Sequence, residues 1–93
     1  MNAGPTAATE EAGSELRATL AGLWTAPYAA DVEKEAQTLL DASQGAGRVI
    51  LDISGIQRLD TLGAWVLDRT RHELGDRGLH ADFVGARPEQ SIL

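Results

Sequence analysis

The sequence predicts an α/β fold, a layered arrangement of strands and helices joined by right-handed crossovers. Stretches with strand character alternate along the chain with stretches of helical periodicity. Residues 48–54, RVILDIS, form a nearly continuous apolar run, which is typical of a strand covered on both faces, as in a parallel sheet. Residues 61–75 follow an acidic residue suited to capping a helix and show apolar positions at helical spacing.

The first half of the chain predicts a leader, a strand and a helix. Residues 1–13 are rich in Ala, Thr, Gly and Glu without apolar periodicity, so we expect a disordered leader ahead of a single domain over 14–93. In residues 14–24, Leu16, Ala18 and Leu20 alternate with polar positions, which predicts a strand and suits the edge of a sheet. Thr25 as the N-cap, followed by Pro27, predicts a helix over 27–42 that ends in SQGAG.

The second half predicts two further strands around a second helix. After the strand at 48–54, GIQRL (55–59) is interpreted as a loop, and the helix runs over 61–75. DRG closes this helix, and LHADFVGA (79–86) predicts another strand. Pro88 marks a helix start that has barely one turn before Leu93, so we expect the C-terminal part of the domain to be truncated in this sequence.

Composition excludes several classes of function. The net charge of −6 argues against a nucleic-acid-binding surface, and the lack of cysteine excludes disulfides and zinc–thiolate sites. No stretch is apolar and long enough to insert in a bilayer, and the N-terminus lacks the pattern of a secretory signal. No nucleotide-binding or hydrolase motif occurs, and His72 and His80 have no spacing that would pair them on a metal. We expect no enzyme activity, no cofactor and no metal.

The start of the second helix is the candidate functional site. Asp60 as the N-cap would place Thr61 at the first helical position with its side chain directed outward. One helix face is assigned to the core and comprises Gly63, Val66, Leu67, Thr70 and Leu74. Another face comprises Leu62, Trp65, Arg69, His72 and Asp76. An exposed Trp beside an Arg is the composition of an interface anchor, although a Trp folded beneath a loop is an equal alternative.

Two short motifs give this region a family resemblance. Asp52-Ile53-Ser54-Gly55 ends a hydrophobic strand, and Asp60-Thr61-Leu62-Gly63 opens the helix that follows. Together they resemble the signature of STAS domains, the family of anti-sigma factor antagonists and of the cytoplasmic domains of sulfate transporters. The resemblance extends over about residues 14–93 and implies a STAS-like (SpoIIAA-like) fold, a small mixed β-sheet with helices packed on it. It also implies a binding or switching role.

The resemblance also assigns roles to residues. It puts Thr61 where anti-sigma factor antagonists are phosphorylated by a partner kinase, Asp60 on the acid before that site, and Gly63 on a glycine that lets a partner approach. Thr in place of the commoner Ser, and the bulky Leu62, depart from the usual pattern. These departures, with GAWVLDRTRHEL and GARPEQ, look more like STAS domains that accompany or are fused to permeases of Mla-type phospholipid ABC transporters.

Two main hypotheses and a minor one follow. The first is a regulatory domain that binds the ATPase subunit of such a transporter through Asp60, Thr61, Leu62, Gly63, Trp65 and Arg69, at the cytoplasmic face of the inner membrane. The alternative is a stand-alone anti-sigma factor antagonist that a kinase phosphorylates on Thr61. The third is a small-ligand site between Ser54 and Thr61, which the single glycine and the acid there disfavour.

Overall fold

The computed structural model describes residues 4–86, which form a four-stranded sheet with two helices packed on one face. The strands are β1 (Thr6–Ala12), β2 (Glu15–Trp24), β3 (Arg48–Leu59) and β4 (His80–Val84). The helices are α1 (Ala29–Ala42), which follows a 3₁₀ turn over Ala26–Tyr28, and α2 (Thr61–Asp76). The predicted helix start at Pro88 lies outside the described residues.

The sheet is mixed, as predicted. Its strand order is β1-β2-β3-β4, with β1 antiparallel to β2 and with β3 parallel to both β2 and β4. The prediction that residues 14–24 form an edge strand is therefore wrong, because β2 lies in the interior of the sheet between β1 and β3. The two parallel pairs need crossovers, and α1 and α2 provide them.

The N-terminal segment corrects a prediction. Residues 6–12, expected within a disordered leader, form β1 and pair with β2 from Thr6–Ala21 to Ala12–Glu15. Gly13 and Ser14 make the two-residue connection, and Gly13 has a φ of +63°, which is the conformation that a type II′ hairpin turn requires at its first position. Ala7 also packs against the core, so β1 is held by its ladder and by apolar contact.

The third strand is longer than predicted. Residues 55–59, interpreted as a loop, continue β3 as far as Leu59 because they pair with the second half of β2 and bury Ile56. The pairing shifts register twice, between Thr19 and Ala21 and between Gly22 and Leu23. A Cβ on Gly55 would lie 2.9 Å from the backbone oxygen of Leu20, so the strands approach closely at this irregularity.

The core lies between the sheet and the helices. Alternate residues of β2 and β3 face it, and every residue predicted on the core face of α2 is buried. Helix α2 spans Thr61–Asp76 and α1 ends at Ala42, close to their predicted bounds. The capping role predicted for Thr25 is wrong in its mechanism, because the Thr25 side chain makes no capping hydrogen bond.

Candidate functional site

The start of α2 is attached to the carboxyl end of β2 by Asp60. One carboxylate oxygen of Asp60 accepts a hydrogen bond from the Gly63 amide at 3.0 Å, which is the predicted N-cap bond. The other oxygen accepts a hydrogen bond from the Ala26 amide at 2.8 Å, two residues after the end of β2. The Asp60 amide also donates to the Trp24 oxygen at 3.4 Å. The cap therefore joins two segments that are far apart in sequence.

These bonds also set the charge of Asp60. Partial burial alone would raise its pKa, but hydrogen bonds from the backbone amides of Gly63 and Ala26 outweigh that effect and lower it. The carboxylate is therefore ionised at neutral pH, and both of its oxygens already have donors. Asp60 is thus a structural cap that also keeps a negative charge beside Thr61.

The packing of α2 against β2 requires a glycine at position 63. It is buried, and a Cβ at this position would overlap the Trp24 carbonyl oxygen, with the Trp24 carbonyl carbon 2.8 Å away and Leu59 Cδ1 3.0 Å away. The Cβ position of this glycine therefore points at the backbone of this same chain. Its missing side chain allows the first turn of α2 to pack directly against the backbone at the end of β2.

Thr61 and Trp65 form the exposed part of the site. Thr61 is the first residue of α2 and is exposed, as predicted. Trp65 lies one turn later, and 58% of its surface is accessible, which makes it the one large hydrophobic residue exposed within residues 4–86. The alternative in which Trp65 folds beneath a loop is therefore wrong. Leu62, next to Thr61, is half-buried and packs against the core.

Arg69 links Trp65 to the other helix. Its guanidinium lies 5.0 Å from the centroid of the Trp65 ring, within the range of a cation–π interaction. The same guanidinium makes two hydrogen bonds to the carboxylate of Glu33 on α1, through Nη1 at 3.2 Å and through Nη2. Glu33 was missed by sequence reasoning, because nothing local pairs it with a residue 36 positions further along.

The other half of the signature lies on the opposite face of the sheet. The Asp52 carboxylate accepts hydrogen bonds from the Ser54 hydroxyl at 2.7 Å and the Ser54 amide at 3.0 Å, and it forms an ion pair with Arg17 at 2.9 Å. The bonds from Ser54 lower the pKa of Asp52, and Arg17 adds to that effect against partial burial. Gly85 approaches this group so closely that its Cβ would lie 2.8 Å from Asp52 Oδ1. Asp52 therefore links β3 to Arg17 of β2 on the face of the sheet that is turned away from the helices.

Other chemistries find little support in this part of the chain. Within residues 4–86, no group of three or more His, Asp or Glu side chains could hold a metal ion. His72 and His80 are both exposed, the first on α2 and the second on β4. No helix in the same range is long and apolar enough to cross a membrane. The small-ligand loop proposed between Ser54 and Thr61 is mostly β-strand.

Comparison with known proteins gives the class of fold. No protein-family model and no curated protein matches the chain. Solved structures do match, and among them is the STAS domain of an antisigma-factor antagonist from Rhodobacter sphaeroides. It is 21% identical, with a TM-score of 0.76, over 96% of this chain and 98% of that one. The chain therefore has the predicted STAS-like (SpoIIAA-like) fold.

Two further structures share this fold. An anti-sigma factor antagonist from Mycobacterium paratuberculosis matches with a TM-score of 0.78 and 17% identity, over 99% of this chain and 76% of that one. A serine-to-glutamate variant of RsbS from Moorella thermoacetica matches with a TM-score of 0.77 and 17% identity, over 92% of this chain and 72% of that one. At these identities the likeness concerns the fold.

Proposed function

We propose that this protein is a non-catalytic regulatory domain of the anti-sigma factor antagonist kind, which binds a protein partner through the start of α2. The binding surface consists of Thr61, Leu62, Trp65 and Arg69, and we call it the α2 docking surface. The observation that carries the proposal is the exposure of Trp65, because an aromatic side chain left at 58% accessibility beside an Arg is a typical hot spot for binding.

Phosphorylation of Thr61 is the proposed switch. Its hydroxyl is exposed at the first position of α2, so a kinase can reach it without unfolding the helix. A phosphoryl group would add about −1.5 to −2 charges one turn from Trp65. Asp60 is already ionised beside Thr61, so a phosphoryl group would place a second negative charge there. Both charges would have to lose water when a partner buries Trp65, which opposes binding. A partner that binds the unmodified surface should therefore release the phosphorylated one.

The structural comparisons support this candidate more than a transporter role. Of the three similar structures described above, those from Rhodobacter sphaeroides and Mycobacterium paratuberculosis are anti-sigma factor antagonists, and none of these three is described as part of a transporter. The partner in this proposal is an anti-sigma factor with serine or threonine kinase activity. This reverses the order in which the sequence alone ranked the two functions.

The test uses the cognate anti-sigma factor kinase with ATP. We expect the mass of the wild-type protein to increase by one phosphoryl group and that of Thr61→Val to stay unchanged. Thr38→Val is the matched control, because Thr38 is an exposed threonine on α1 and should leave phosphorylation intact. Labelling of Thr61→Val to the same extent as wild type would overturn the switch.

A second candidate is the ATPase subunit of a phospholipid ABC transporter as the partner. Leu62 and the exposed Trp65 favour it, since they make the surface more apolar than a kinase acceptor site needs. This candidate predicts constitutive binding to the ATPase at the cytoplasmic face of the membrane, and it needs no phosphorylation. Trp65→Ala should then abolish capture of the purified ATPase, while an absence of capture by wild type would exclude this partner.

A further inference from the structure

The orientation of Trp65 depends on a residue that the two signature motifs do not contain. Trp65 projects from the solvent side of α2, opposite the buried positions Val66, Leu67 and Thr70. A large side chain in that position has little to pack against and would ordinarily sample several rotamers. In this structure the Arg69 guanidinium covers one face of the ring at 5.0 Å.

Arg69 is in turn fixed from outside its own helix. Glu33 accepts two hydrogen bonds from the guanidinium through both carboxylate oxygens, which is the paired geometry that suits the planar fork of Arg. The hydrogen bond from Arg69 lowers the pKa of Glu33, so the pair is charged at neutral pH. Because the planar group is held along one edge by Glu33, its flat face is free to stack on the indole.

We infer that Glu33 is a positioning residue for partner binding, which holds Arg69 over Trp65 and so presents the indole in one orientation. This inference rests on the proposed function and deepens it, because it moves the role of Arg69 from contacting the partner to ordering the anchor. An anchor that is ordered before binding loses less conformational entropy when the partner arrives. The partner that fits is therefore one with a preformed apolar slot for a fixed indole.

The first measurement is independent of any partner. An Arg side chain stacked on an indole has its Hδ and Hε protons shifted upfield by the ring current, so NMR of Arg69 reports the stacking directly. Glu33→Gln keeps the shape of the side chain and removes its charge. In this variant we expect the Arg69 resonances to move downfield, toward their positions in Trp65→Ala, because the ring-current effect is lost. Glu35→Gln is the matched control, because it removes the same charge from the opposite flank of α1 and should leave the shift unchanged.

The second measurement uses the partner. An exposed cation–π contact is worth a factor of about two to five in an equilibrium constant, so Glu33→Gln should weaken binding by about that factor while Glu35→Gln does not. An unchanged Arg69 shift in Glu33→Gln would overturn the inference even if the partner binds. If wild type binds no partner, the proposed function fails, and the Arg69 shift still decides whether Glu33 orients Trp65.

Discussion

Gly63 and Gly75 lie in the same helix, and the structure predicts opposite results when each is changed to alanine. A Cβ at Gly75 would meet no atom within 4 Å, and its backbone is not among those with positive φ. A Cβ at Gly63 would overlap the Trp24 carbonyl oxygen and lie 2.8 Å from the carbonyl carbon. These neighbours are backbone atoms of a paired strand, so they cannot rotate away as a side chain would.

The expected magnitudes follow from these surroundings. Gly75→Ala should raise the free energy of unfolding by about 0.5–1 kcal/mol, because alanine restricts the unfolded chain and favours helix. Gly63→Ala receives at most the same gain, but it has to push the first turn of α2 away from β2, and overpacking of this kind costs roughly 1–3 kcal/mol. The displacement also stretches the Asp60 bonds to both segments. The helix gain offsets up to about 1 kcal/mol of this cost, and weakening of the Asp60 bonds adds roughly 0.5–2 kcal/mol, so the net change should be a loss of about 0.5–4.5 kcal/mol.

Thermal unfolding followed by circular dichroism measures both variants under one set of conditions. For a domain of this size, 1 kcal/mol corresponds to roughly 4–8 °C, so the two midpoints should lie on opposite sides of the wild-type value. A Gly63→Ala protein as stable as wild type would refute the close approach of α2 to Trp24. A loss in Gly75→Ala equal to that in Gly63→Ala would contradict the predicted gain at Gly75 and show that steric overlap is not what makes Gly63 necessary.

Three further predictions concern the charged and aromatic residues of the site. Asp60→Ala should lower the free energy of unfolding, measured by urea denaturation, by about 2 kcal/mol, because it removes the acceptor for two backbone amides. Asp60→Asn keeps one acceptor oxygen and should lose about half of that, so equal losses in the two variants would contradict the double cap. Folding lowers the pKa of Asp52 and Asp60 from their ordinary 3.8, so the two carboxylates stabilise the folded state fully above that pH and lose this effect as the pH falls through the lowered pKa values. In Asp52→Asn, the free energy of unfolding should therefore decline less steeply below about pH 4 than in wild type. Trp65→Ala should change the free energy of unfolding by less than about 1 kcal/mol while weakening partner binding at least tenfold, and a large loss of stability would show that Trp65 serves the core instead.

The sequence predicted those parts of the fold whose signals are local. The cap at Asp60, the bounds of α2 and its buried face all follow from residues within one helix, and the structure has them as expected. The exposure of Trp65 followed from the same helical spacing, although its alternative under a loop could be decided only in three dimensions.

The missed features depend on partners that are distant in sequence. Strand β1 has few apolar residues and is held by its ladder with β2, so its composition resembles that of an unstructured leader. Its one local signal is Gly13-Ser14 between two extended segments, which is suited to a hairpin turn. Residues 55–59 form a strand because β2 lies beside them, and Glu33 matters because α1 lies beside α2.

The reason for the glycine at position 63 also depends on tertiary structure. The helical spacing assigns Gly63 to the core face, whereas the resemblance to STAS domains implies a glycine that lets a partner approach. In the structure the space that a side chain would need is occupied by the carbonyl group of Trp24, at the end of β2. The same residue is therefore compatible with an external role or an internal one, and only the packing distinguishes them.

The double attachment of Asp60 has a consequence for how the protein is made. Its bond to the Ala26 amide joins residues 34 positions apart, so the cap cannot be completed while the ribosome has delivered only β2 and α1. At about 5–20 residues per second, Asp60 is added roughly 2–7 s after Ala26. The capped start of α2 therefore forms only after Asp60 has reached the end of β2.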